Sequence, residues 1–80
     1  MNDLLNAILS HISIYDKEDI QSMIDRKQGI EDLIIEYVRE EKTFTNYDLF
    51  SLSSADKKHI FNLLDKKFRH YFNEPFIDKF

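Results

Sequence analysis

Apolar side chains recur at intervals of three and four residues along most of this chain, which is the spacing of one helix face. Strict alternation of apolar and polar residues, the pattern of a half-buried strand, is scarce. A single Gly and a single Pro leave few of the breakers that a turn-rich β fold needs. The pattern therefore predicts an all-α fold, a compact bundle of four to five helices.

Polar residues with the spacing of helix caps fix most of the predicted helix starts. In a capping box, the N-cap side chain and the residue three positions later each accept a hydrogen bond from the other's backbone N–H. Three pairs have this spacing: Asp16 with Asp19, Thr45 with Asp48, and Ser53 with Asp56. The predicted helices cover residues 3–12, 17–28, 30–41, 46–51 and 54–72, and a tail covers residues 73–80.

The second and third helices can be drawn in two ways. Gly29 can end the second helix as a left-handed C′ residue, and Glu31 and Asp32 then serve as first-turn acids of the third. However, Met23 and Ile34 keep nearly one phase through Gly29, so a continuous bent helix from residue 17 to 42 is the alternative. We favour the break.

Composition limits the size and the compartment of the domain. Eighty residues make one small domain, whose core must be dense; seven Phe and four Tyr can supply it. Without Cys, neither disulfides nor a cysteine-based zinc site can form, which favours a reducing cytoplasm. We expect no signal peptide, because the start of the chain lacks a cationic lead and an unbroken apolar run. No segment is apolar enough to span a membrane.

Positive charge is concentrated in the last predicted helix. Residues 1–42 carry ten acidic and five basic side chains, whereas residues 57–72 carry five basic ones against one acid, in a chain of net charge −4. At 100° per residue, Ile60, Leu64 and Phe68 share the apolar face. The opposite face is basic and polar, with Asp65 only at its edge: Lys58, His59, Asn62, Lys66, Arg69 and His70. Such segregation indicates an anionic partner.

In its layout, the stretch from Ile30 to Phe72 resembles a winged-helix or helix-turn-helix unit. A helix is followed by a short extended step at Phe44-Thr45, a short helix through Tyr47-Asp48-Leu49-Phe50, and a long helix. The resemblance implies a helix-turn-helix-like C-terminal half that binds DNA. Ser54, Lys57, Lys58 and Asn62 would then face the major groove, and Lys66, Arg69 and His70 would contact phosphate. A solvated surface helix is the alternative interpretation.

Acidic and aromatic residues support a different partner. The acidic helices could attract a basic protein or mimic DNA, and an exposed aromatic tail could anchor a partner. The alternative for the tail, which we favour, is that its aromatic residues fold back and cover the bundle. The candidates are Glu36, Glu40, Glu41, Phe76 and Phe80. The separation of acidic and basic regions would also allow a homodimer.

Nothing in the sequence predicts catalysis. His59 and His70 are about 16 Å apart along one helix, too far to chelate a metal. No Gly-rich phosphate loop, Cys nucleophile or triad spacing is present, so we assign no catalytic residue, metal or cofactor. The predicted function is a small non-enzymatic nucleic-acid-binding or transcription-regulatory protein. A protein-interaction module, such as an inhibitor or adaptor, is the alternative, and the composition suits a phage or mobile-element factor.

Overall fold

A computed structural model describes residues 2–78 and shows five helices joined by short turns. The helices are α1 (Asp3–Ser13), α2 (Lys17–Asp25), α3 (Ile30–Glu41), α4 (Asn46–Leu49) and α5 (Ser54–Phe72). No strand occurs in this part of the chain. The predicted all-α bundle of four to five helices is confirmed.

Helix α5 is the centre of the bundle and packs on α1, α2 and α3. Its apolar face buries Ile60, Leu64 and Phe68, as the 100° periodicity predicted. Near the start of α5, the side-chain amide of Asn2 donates to the Ser51 carbonyl at 2.9 Å. Near its end, Lys67 donates to the backbone carbonyls of Ser13, the last residue of α1, and Tyr15. These contacts at the two ends show that α1 and α5 run parallel.

The predicted caps are present at the starts of α2, α4 and α5. Asp16 and Asp19 bond reciprocally, at 2.9 and 3.0 Å. Ser53 and Asp56 do the same, at 3.0 and 3.1 Å. At α4, the Asp48 carboxylate accepts the Thr45 N–H at 2.6 Å. Each pair satisfies backbone donors that a helix start would otherwise leave without a partner.

The break between α2 and α3 is confirmed, but Gly29 does not have the predicted conformation. The left-handed residue is Lys27, with φ of 52°. The N–H of Lys27 bonds to the Ile24 carbonyl, and that of Gln28 to the Met23 carbonyl, which together form a Schellman motif. Gly29 is extended and is the N-cap of α3. Helix α2 therefore ends at residue 25 rather than 28.

Helix α4 is a single turn of four residues and is shorter than the predicted 46–51. The N–H groups of Phe50 and Ser51 bond three residues back, to Tyr47 and Asp48, so the turn tightens instead of continuing. The Ser51 hydroxyl also donates to the Asp48 carbonyl. The helix-turn-helix-like arrangement of the C-terminal half stays a prediction, and residues 73–78 add no strand of a wing.

The tail folds back along α5 and belongs to the core. Phe76 is only 4% exposed, and its ring contacts those of Phe61 and Phe68 with centroids 5.5 and 5.0 Å away. Its N–H donates to Asp65 at 3.0 Å. The tail therefore covers the bundle at Phe76, and the alternative prediction of an exposed Phe76 is wrong, because Phe61 and Phe68 of α5 pack against its ring. Phe80 lies outside the described residues.

Candidate functional site

The polar face of α5 is exposed along most of the helix. The Ser53–Asp56 cap fixes the start of the helix, and the buried Ile60–Leu64–Phe68 stripe fixes its rotation. The predicted groups on the outer side are all exposed: Ser54, Lys58, His59, Asn62, Lys66, Arg69 and His70. From residue 58 to residue 70 this face runs about 18 Å, since a helix rises 1.5 Å per residue.

Two of the five cations of α5 interact with other parts of the protein. Lys57 forms an ion pair with Glu31 of α3, with Nζ and Oε1 2.7 Å apart. The ammonium of Lys67 donates to the backbone carbonyls of Ser13 and Tyr15, at 2.7 and 2.9 Å, and so holds the end of α1 against α5. These two lysines serve the fold. An anionic partner would have to compete with those contacts.

Arg69 is a third cation with an internal partner. Its Nε donates to the Asp65 carboxylate at 3.0 Å, an i, i+4 pair on the helix surface. This bond, together with the Phe76 N–H, holds the pKa of Asp65 below its ordinary value. Among the α5 cations, only Lys58 and Lys66 have no hydrogen-bond or ion-pair partner for their ammonium groups within residues 2–78.

The predicted acidic site is divided. Glu36 is held by two side chains at the end of α2, since Arg26 and Gln28 both donate to its Oε2, at 3.1 and 3.2 Å. Glu40 and Glu41 are exposed near the end of α3 and have no side-chain partner in the described part of the chain. The acids therefore do not form one surface with Phe76, which is buried.

The most exposed large apolar side chains belong to α4 and the turn after it. Tyr47 is 86% exposed and Phe50 is 87% exposed. They are three residues apart, so they project from neighbouring positions on one side of the helical turn. The other side of this segment turns Phe44, Leu49 and Leu52 towards the core. The exposure of Phe50 was not predicted from the sequence.

A hollow beside the start of α4 extends this aromatic surface. It has a volume of about 610 Å³ and lies between α3 and α4. Its lining includes Ile35, Val38, Arg39 and Lys42 from α3 and its C-terminal end, and Phe44, Thr45 and Asn46 from the next segment. Neither Arg39 nor Lys42 has a side-chain partner within residues 2–78.

Metal binding and membrane insertion find no support in the part of the chain that the structure describes. No group of three or more His, Asp or Glu side chains within residues 2–78 is placed to hold a metal ion. His11 packs between Tyr15 and Tyr37, with ring centroids 5.3 and 5.0 Å away. No helix within this part is long and apolar enough to cross a membrane.

Comparisons with known proteins found no relative. No model of a protein family matches the chain, and no curated protein or solved structure is significantly similar to it.

Proposed function

We propose that this protein is a non-enzymatic protein-interaction module that binds its partner through Tyr47 and Phe50. The observation that carries this proposal is the exposure of both rings, at 86% and 87%, in a domain whose core uses most of its other aromatics. Large aromatic side chains are enriched among the residues that dominate binding energy at protein interfaces. An exposed pair on one helical turn is such an anchor.

The local structure holds α4 in place without using these two rings. The Thr45–Asp48 cap closes its start. Leu49 and Phe44 pack on the core, and α4 lies against α3. Each aromatic side chain has only two side-chain torsions to fix, so little conformational entropy is lost when a partner covers it. The surface is therefore preorganised for binding.

Selection from a phage-displayed library of random short peptides tests the proposal. We expect enriched peptides whose affinity falls about 30-fold or more when Tyr47→Ser and Phe50→Ser are combined, since an interface anchor contributes about 2 kcal/mol or more. The matched control is Ile14→Ser, which removes an apolar side chain that is 77% exposed after α1. Failure to enrich peptides, or equal binding to the double variant, would refute the proposal.

Nucleic-acid binding by α5, in a regulatory role, is the second candidate. It is favoured by the exposed face on which Lys58 and Lys66 have no side-chain partner within residues 2–78 and Asn62 lies between them. With Arg69 released from Asp65, this face could neutralise two to three phosphates. Such binding would be weak and salt-dependent, because three of the five cations of α5 already have internal partners.

A fluorescence-polarisation titration with duplex and single-stranded DNA checks this second candidate. For two to three phosphate contacts, affinity should fall by roughly 10- to 40-fold between about 50 and 200 mM salt. Lys58→Glu with Lys66→Glu should abolish binding. Lys27→Glu with Arg39→Glu changes the net charge by the same amount away from the polar face of α5 and should weaken binding much less. Equal effects of the two pairs would show that net charge, and not this face, governs binding.

A further inference from the structure

We infer that the segment that binds to α4 is an acidic peptide with apolar anchors, and that Arg39 and Lys42 bind its carboxylates. This inference rests on the proposed function and adds the chemistry of the partner. Its basis is the hollow between α3 and α4, where cations without side-chain partners in the described chain border exposed apolar surface.

Arg39 and Lys42 lie on the same side of α3 as Ile35. At 100° per residue, Arg39 is about 40° from Ile35 around the helix. Lys42, the left-handed residue that caps α3, lines the same hollow as both. Glu40 and Glu41, although between them in sequence, project about 140° and 120° away from Ile35. The side of α3 next to α4 is thus basic and apolar near its end, in a half of the chain that is otherwise acidic.

The hollow adjoins the segment that carries the exposed rings. Asn46 lines the hollow, and Phe50 is four residues further on, so their side chains lie on the same side of the segment. Tyr47 directly follows Asn46. Ile35 is 41% exposed, which extends apolar surface to the far side of the hollow. A bound segment could therefore contact the aromatic pair and both cations together.

The charge of this surface selects the partner. A segment with Asp or Glu beside its apolar anchors would give Arg39 and Lys42 the ion pairs that they lack within residues 2–78, and such complementarity favours the correct partner over others. A basic segment would instead meet like charge there. Arginine can also bind a carboxylate through two parallel hydrogen bonds, which adds specificity.

The peptides enriched from the displayed library provide the test. We expect the consensus to combine aromatic or leucine anchors with at least two acidic positions. A synthetic consensus peptide should lose about tenfold or more in affinity with Arg39→Gln and Lys42→Asn combined. Asn is chosen at residue 42 because φ there is 60°, a conformation that Asn tolerates. Lys58→Gln with Lys66→Gln removes the same charge from α5 and should have little effect.

The outcomes separate this inference from the proposed function. Peptides that need Tyr47 and Phe50 but carry basic residues, or that bind the Arg39/Lys42 variant equally well, would overturn the inference and leave the proposed function standing. Sedimentation of the protein alone checks the other occupant. A dimer that becomes a monomer with Tyr47→Ser and Phe50→Ser would make a second copy the occupant, and the inference would be wrong.

Discussion

Two short segments outside the long helices carry aromatic side chains, and the structure treats them in opposite ways. In the tail, Phe76 is 4% exposed, whereas Tyr47 and Phe50 at α4 are exposed almost completely. Both segments lie beside the bundle and both contain apolar residues. The difference shows that an aromatic ring in a short segment is buried where the side chains of a long helix form an apolar pocket around it.

Side chains of α5 form the apolar pocket in which the tail packs. Phe61 and Phe68 are seven residues apart, two turns along one side of the helix, and the Phe76 ring packs edge-on against both. Asp65, between them, accepts the Phe76 N–H. The α4 segment packs only one of its sides on the bundle, because Leu49 and the neighbouring Leu52 already fill the core there. The opposite side, which carries Tyr47 and Phe50, has no apolar pocket to enter. The rings on the outer side remain exposed.

Removal of the buried ring should have the largest effect. We expect Phe76→Ala to lower the free energy of unfolding by about 3–5 kcal/mol, since a buried Phe loses its transfer energy and leaves a cavity. Phe50→Ala is the matched control and should change stability by less than about 0.5 kcal/mol. Urea unfolding followed by circular dichroism measures both.

Should Phe76→Ala prevent folding altogether, Phe76→Leu keeps part of the ring volume and should still lower the unfolding midpoint well below that of Phe50→Ala. Similar losses from Phe76 and Phe50 would break the comparison. They would mean that α4 packs its ring as the tail does.

Asp65→Asn should have a smaller effect, with opposite signs in two measurements. The variant loses the ion pair to Arg69, so its thermal midpoint should fall; it also frees the guanidinium, so binding of DNA by α5 should tighten.

The stabilisation by Asp65 should depend on pH. Because hydrogen bonds from Arg69 and from the Phe76 N–H hold the pKa of Asp65 below its ordinary value of 3.8, the carboxylate stabilises the fold above about pH 4. That stabilisation is lost as the pH falls through the lowered pKa.

Thermal melts of Asp65→Asn and wild type from pH 6 to below pH 4 check the sign. The midpoints should differ most at the upper end and converge as the acid is protonated. Asp32→Asn, which alters an exposed acid of α3, is the control. A midpoint difference that stays constant across this range would show that the charge of Asp65 does not hold the tail. DNA binding that does not change would count against Arg69 as a phosphate contact.

Much of the fold could be predicted from the sequence, because helix bounds and caps depend on residues that are close together in the chain. Helices α3 and α5 have their predicted bounds, and the Asp16–Asp19 and Ser53–Asp56 caps depend only on residues three apart. The end of α2 was misplaced because a left-handed position suggests Gly, and here Lys27 adopts it while Gly29 begins α3. Conformation followed the Schellman hydrogen bonds rather than residue preference.

The candidate sites could be predicted only in part, because some of their contacts join residues that are far apart in the sequence. Helical periodicity predicted which residues of α5 face outward, but not the partners of Lys57 and Lys67, which are distant in sequence at Glu31 and at the end of α1. The Arg69–Asp65 pair is local and has the favourable acid-to-base i, i+4 order. The exposure of Phe50 required knowledge of how short α4 is.

The smallest expected effect concerns the two lysines with positive φ that border the two segments. Lys27 lines the depression beside Phe76, with φ of 52°, and Lys42 lines the hollow beside α4, with φ of 60°. A left-handed conformation costs a residue with a Cβ roughly 1–2 kcal/mol, and Gly removes that cost. About half of this gain is offset, because Gly has more conformational entropy in the unfolded chain. Lys27→Gly and Lys42→Gly should therefore each stabilise the protein by about 0.5–1 kcal/mol.

The pair separates stability from binding, since both changes relax the backbone and remove one positive charge. Their urea midpoints should rise together, whereas affinity for the acidic consensus peptide should fall only with Lys42→Gly. Equal affinities would mean that Lys42 lies beside the partner without binding it. A loss of stability in either variant would show that the lysine side chain contributes more to its junction than its left-handed backbone costs.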